Sequence, residues 1–300
     1  MKRNEFEEIL CLINKKDFES ATSYFSDGFE LLMNGDWQRE LQKFTNLHGK
    51  EEFFESCSAL NRYFDVTANL DVFMSSEDTV IAELNIVFTA HDAKEMRAGF
   101  FRPGQQLHTN AFFDFDVGAT GRFDRVRVAH YESIDPAVSP ASKFSNSGSK
   151  ERRGLLTKKD MDEYFEYFNS RDYDNIVSYF ADDVELHYGN NFSLESLPIF
   201  TTRGKDGFIA AYRHIHRTID EKLHIGKLLI DDRNIFVEMW TEWCAFEEAE
   251  DNFMGLKMGE VFICTNYVLY ELDENDKFKD IRVGHFRVHD PKEAFLTLEV

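Results

Sequence analysis

Basic residues are scarce in this chain: 34 Lys and Arg stand against 55 Asp and Glu over 300 residues, a formal net charge of −21. Nucleic acids and anionic membranes both recruit basic patches, so neither is an expected partner. Both halves share the acidic excess, as a soluble acidic surface would. Cysteine is scarcer still. Cys11, Cys57, Cys244 and Cys264 form no C-x-x-C pair, which argues against a disulfide framework and against a structural zinc site. No run approaches the roughly 18 apolar residues of a membrane span. The charged start MKRNEFEEIL has no apolar signal region. Together these predict a cytoplasmic protein. No G-x-G-x-x-G, Walker or nucleophile-elbow motif is present. The two rings of His214-x-His216 would fall on different faces of a helix. Neither a metal nor another cofactor is expected.

What the chain does have is apolar bulk. Hydrophobic residues make up 43%, and 30 of them are Phe, enough for two cores or pockets lined by large aromatics. It also has a repeat. NKKDFESATSYF (14–25) meets NSRDYDNIVSYF (169–180), HGKEEF (48–53) meets RGKDGF (203–208), and GRFDRVRVAHYESIDP (121–136) meets DKFKDIRVGHFRVHDP (276–291). Every pair is 155 positions apart, and Glu83 meets Glu238 in the same register. One register held along a whole domain means duplication. Residues 138–157, VSPASKFSNSGSKERRGLLT, are rich in Ser, Gly and charge and read as a linker. The expected domains are 1–137 and 158–300.

In the second copy, Met161, Phe165 and Phe168 recur at helical spacing over 158–169. A short helix is predicted over 175–180, a strand over 184–188 and a helix over 206–219. Four strands then follow at roughly 223–231, 234–246, 260–272 and 278–289, with hairpin signals at Asp231–Asn234 and Asp273–Asp276. This order is α+β.

The D-x-D-x-I-V-x-Y-F-A-D-D-V-E-L run, the R-G-K-D-G-F helix start and the final D-K-F-K-D-I-R-V-G-H-F strand resemble the nuclear transport factor 2-like superfamily. SnoaL-like polyketide cyclases, ketosteroid isomerase and scytalone dehydratase belong to it. The resemblance implies two tandem cone-shaped α+β barrels, each with three helices on a curved antiparallel sheet. It also implies an internal pseudo-dimer through the outward sheet faces, with Leu84, Ile86, Phe88, Phe112, Met239, Trp243, Tyr267 and Phe286 as contacts. A further homodimer is possible.

By the same resemblance, Glu238 and His285, and their counterparts Glu83 and His130, fall at pocket-lining positions. Tyr164 falls at the isomerase's oxyanion-binding tyrosine and Tyr188 at its proton-shuttling aspartate; the second acid falls at Val268. A steroid-isomerase mechanism is therefore not expected. Strand alternation groups Glu238, Trp240, Glu242 and Cys244 on one face, and Val283, His285 and Arg287 on one face. With unbulged hairpins, Trp240, Asn266 and His285 would stand side by side. The candidate catalytic set is His285, Glu238, Tyr164, His187 and Tyr188. The candidate binding set is Trp240, Glu242, Asn266, Tyr270, Arg287, His130 and Glu83. Each histidine could equally be a buried structural residue, and Glu238 could simply pair with Arg213 or Arg217. The expected activity is cofactor-independent acid–base chemistry (isomerisation, cyclisation or dehydration) on a small, largely apolar metabolite, centred on the second copy. The alternative is a non-catalytic binding or scaffold protein.

Overall fold

The computed structural model describes residues 1–33, 45–96, 99–134, 156–188, 200–248 and 255–294. The chain divides into two compact units, with the break between residues 149 and 150. The linker expected over 138–157 lies almost wholly outside the described residues.

In the first unit, α1 (Arg3–Asn14) and the short α2 (Phe18–Ala21) precede β1 (Phe25–Met33), β2 (Thr45–His48) and α3 (Lys50–Leu60). Then come β3 (Phe64–Ser75), β4 (Thr79–Ala90), a small hairpin of β5 (Lys94–Met96) and β6 (Gly99–Phe101), β7 (Gln106–Val117) and β8 (Phe123–Ile134). The main sheet runs β2-β1-β8-β7-β4-β3. The second unit repeats this. It has α4 (Lys158–Ser170), α5 (Tyr173–Ile176), β9 (Phe180–Tyr188), β10 (Phe200–Arg203), α6 (Gly204–Ile215), β11 (Ile219–Ile230), β12 (Asn234–Ala245), β13 (Val261–Leu272) and β14 (Phe278–Val288). Its sheet runs β10-β9-β14-β13-β12-β11. Each unit is an α+β cone.

Two details differ from expectation. The sheets are mixed rather than antiparallel, because β1 pairs parallel to β8 and β9 parallel to β14. Each also has a short extra strand, β2 or β10, in a stretch read as loop. Four residues are too few to show a period.

The duplication extends to side-chain contacts that fix helix on sheet. Asn14 at the end of α1 donates to Ala68 O at 2.9 Å and accepts from its N at 2.8 Å. Asn169 does the same to Leu223 at 2.9 and 2.8 Å. Asp17 and Asp172 accept from the amides of Ser20 and Asn175, capping α2 and α5. α4 opens with a capping box between Thr157 and Asp160 and is stopped by Arg171, which adopts a left-handed conformation. No helix among the described residues is long and apolar enough to cross a membrane.

Candidate functional site

The second cone encloses a small cavity of about 40 Å³. α4 contributes Tyr164 and Phe168, α6 contributes Phe208 and Tyr212, and the sheet contributes Leu186, Tyr188, Glu221, Leu223, Met239, Thr241, Asn266, Val268, Tyr270, Ile281 and Val283. The helical residues converge because positions four apart share a helix face: 164 and 168 on α4, 208 and 212 on α6. Strand alternation does the rest. A volume of this size holds about three waters.

Glu221 is the acid in this wall. It is 5% exposed, and its Oε2 lies 2.9 Å from Nε2 of buried His216. Nδ1 of the same ring lies 2.7 Å from the Tyr173 hydroxyl. Arg213 sits over the Tyr173 ring, 5.3 Å from its centroid, and Arg171 Nη1 is 3.4 Å from the His216 carbonyl oxygen. This arrangement holds the carboxylate from behind, with one oxygen toward His216. Oε1 makes no hydrogen bond to any described residue. The surrounding phenols are kept protonated. Burial pushes the hydroxyls of Tyr164, Tyr188, Tyr212 and Tyr270 up, and the charge of Glu221 adds to this at Tyr164, Tyr188 and Tyr212.

None of Glu221, His216 and Tyr173 was a sequence candidate. A signal did exist. The same positions of the first copy hold Val66, Asn61 and Phe18, so all three differ between the copies, and two of them change from apolar to polar.

Of the expected site residues, Tyr164, Tyr188, Asn266 and Tyr270 line the cavity, as does Val268. His285 is near but behind the wall. It is fully buried, its ring packs edge-on against Tyr188 at 4.8 Å, and Nδ1 hydrogen-bonds Asn266 Oδ1. Asn266 Nδ2 in turn donates to Thr241 Oγ1 at 2.9 Å. Burial pushes the His285 imidazole down to about 3, so the ring is neutral at ordinary pH.

The expectation for β12 is corrected. Met239 and Thr241 line the cavity, so Glu238, Trp240 and Glu242 face the other way. Trp240 Nε1 donates to Glu242 Oε1 at 2.8 Å on that outer face. Thr241, not Trp240, stands with Asn266 and His285. Met239 and Trp243, expected outside, are inside. Arg287 also leaves the cavity. A bulge pairs Asn266 with His285 but Thr265 with Arg287, which puts Arg287 on the Trp240 side, where it is exposed.

His187 is likewise outside, since its neighbours Leu186 and Tyr188 point in. It joins Glu185 at 3.3 Å and Asp280 at 3.2 Å. The three are ligand-type groups close enough to share an ion. Their charges are already met, by Arg203 on Glu185 at 3.2 Å and Arg282 on Asp280 at 2.7 Å. Burial pulls Asp280 up, yet the His187 hydrogen bond and Arg282 outweigh it and hold the carboxyl below its usual range.

In the first unit, the positions matching the cavity wall are filled. Ile9, Leu31, Leu84, Ile86, Ala111, Phe115, Val126 and Val128 form one buried cluster, with Ile13, Met33, Phe53, Val66, Ala68 and Phe113 packed on it. Glu83 faces away from that cluster, between the inward Ala82 and Leu84; so does Phe112, while Leu84, Ile86 and Phe88 face in. His130 is buried near Met33 Sδ and Thr109 Oγ1, both at 3.4 Å, and burial pushes it down to about 4.

Residues 161–276 match the family model described as SnoaL-like domain. Solved structures with a similar fold include a nuclear transport factor 2-like protein of unknown function from Burkholderia pseudomallei (22% identity, TM-score 0.34, covering 44% of this chain and 89% of that chain). IdmH from Streptomyces antibioticus, described as a candidate polyketide cyclase, is another (15% identity, TM-score 0.36, 42% and 89% covered). A candidate polyketide cyclase from Xanthomonas campestris pv. campestris is a third (15%, TM-score 0.32, 41% and 84%). No curated protein matches the chain.

Proposed function

We propose that this chain, a tandem of nuclear transport factor 2-like cones whose second copy is a SnoaL-like domain, is a cofactor-independent acid–base enzyme with its site in the second cone. The observation that carries the reading is Glu221: a buried carboxylate with one oxygen held by His216 and the other unengaged, in a cavity walled by protonated tyrosines. A carboxylate so placed accepts a proton from a bound molecule, and a phenol hydroxyl donates to the oxygen or other atom that gains negative charge. Tyr164 and Tyr270, whose rings meet edge to face at 5.9 Å, are the donors of choice. Isomerisation, ring closure and dehydration all use these two roles. The substrate is small and largely apolar, matching a wall built mostly of aromatic and aliphatic side chains.

The small cavity favours a second reading, a binding domain without turnover. A volume of about 40 Å³ admits a handful of atoms unless the wall moves. A ligand screen of the intact protein by native mass spectrometry, using host metabolite extract, finds the molecule. Turnover of that molecule, lost in Glu221→Gln, supports the enzyme; binding without conversion supports the second reading. An internal pair of the two domains and a cytoplasmic location complete the proposal. Separate expression of the halves tests the pairing through a change in each unfolding transition.

A further inference from the structure

The charges around the second cavity are one-sided. Six rings line it, those of Tyr164, Phe168, Tyr188, Phe208, Tyr212 and Tyr270, together with the Glu221 carboxylate, and among the described residues no Lys or Arg is in the wall. An aromatic face carries negative potential and attracts cations. A carboxylate oxygen that faces such a cavity is well matched by a donor that brings positive charge. His216 occupies only Oε2. The other nitrogen of that ring, Nδ1, is engaged with the Tyr173 hydroxyl at 2.7 Å. The net charge of −21 adds a long-range attraction for cations. The first cone lacks the carboxylate and the four phenols, with Val66 in place of Glu221 and Ile9, Met33, Cys57 and Phe115 in place of the four tyrosines.

We propose that the second cone recognises a small organic cation, an amine in its ammonium form, with the nitrogen against Glu221 Oε1 and its alkyl groups against the aromatic wall. This names the ligand class of the site proposed above and rests on that reading of the second cone. For a nitrogen held there, the proton within reach of Glu221 is on that nitrogen.

The test uses two molecules of nearly the same shape, tert-butylammonium and neutral tert-butanol, titrated into the full-length protein and followed by NMR of its aromatic side chains. The ammonium is expected to bind at least about tenfold more tightly than the alcohol, shifting Tyr164 and Tyr212, with added salt weakening it. Glu221→Gln is expected to abolish the preference and to keep alcohol binding. Glu221→Val, which copies the first domain, provides the same comparison should the Gln variant fold poorly. Equal or tighter binding of the alcohol to the natural protein overturns the proposal. So does failure of the ammonium to bind, or a cation preference that survives loss of the carboxylate. Should Glu221→Gln abolish turnover of a substrate while no cation preference exists, the acid–base reading stands and this inference falls.

Discussion

The two domains share a backbone plan and differ in what fills the cone. Both tie the first helix to the sheet through an Asn with two backbone hydrogen bonds, and both carry a buried histidine on the last strand. The first interior is a continuous apolar cluster. The second holds a carboxylate, four tyrosines, a threonine and an asparagine around a small space. On the proposed reading, residues that recur between the copies mark the scaffold, and residues that differ mark the site. His285 recurs and sits behind the wall; Glu221 does not recur and lies in it.

The sharpest way to break this contrast is to remove the carboxylate. Glu221→Gln is expected to lower turnover by about 10²–10⁴-fold, the usual contribution of a positioned acid or base, while far-UV circular dichroism stays unchanged. An equal loss from Val66→Ala in the first cone would mean that the two interiors are functionally alike.

The converse change comes next. Val66→Glu puts a carboxylate into the first cone without a histidine behind it, because Asn61 and Phe18 stand there. It is expected to cost about 3 kcal/mol of that domain's stability, read in thermal or urea unfolding. Adding Asn61→His and Phe18→Tyr should return part of the loss. Full stability of the single variant would show that the first interior tolerates charge.

Acid sharpens the comparison between the two histidines. Both are held neutral by burial, and both bind a proton more readily unfolded, near 6.5. Their folded values are depressed, so the stability they contribute is complete above about 6.5 and is lost as pH falls. The loss should level off near 4 for His130 and continue to about 3 for His285. His130→Gln and His285→Gln should each remove one proton from the uptake measured on unfolding below pH 6. His285→Gln should also lower stability while keeping turnover per folded molecule; a folded variant without turnover would return His285 to the catalytic set.

The smallest effect tests the sameness of the scaffolds. Asn14→Ala and Asn169→Ala each remove two hydrogen bonds between helix and strand. Each is expected to destabilise its own domain by about 1–2 kcal/mol, with turnover altered by neither. Losses that differ by more than about 1 kcal/mol would show that the scaffolds have diverged as well.

Sequence alone determined the duplication and its register, the order of helices and long strands, the cone fold and the richer polarity of the second copy. Those features rest on local periodicity and on residue identity, which the chain carries directly. It placed Tyr164, Tyr188, Asn266 and Tyr270 in one pocket. It did not determine which way β12 faces. Alternation defines two faces and leaves their assignment open when both hold large side chains, as with Trp240 on one and Trp243 on the other. The tertiary structure decided that phase, and with it moved Glu238 and Glu242 outside. It also decided Arg287, through a bulge that one chain position cannot reveal. Glu221, His216 and Tyr173 come from the first residues of β11, the turn after α6 and the start of α5. Only packing of helix on sheet brings them within 3 Å of one another as a chain, because the contact joins segments 43 residues apart that no sequence period links.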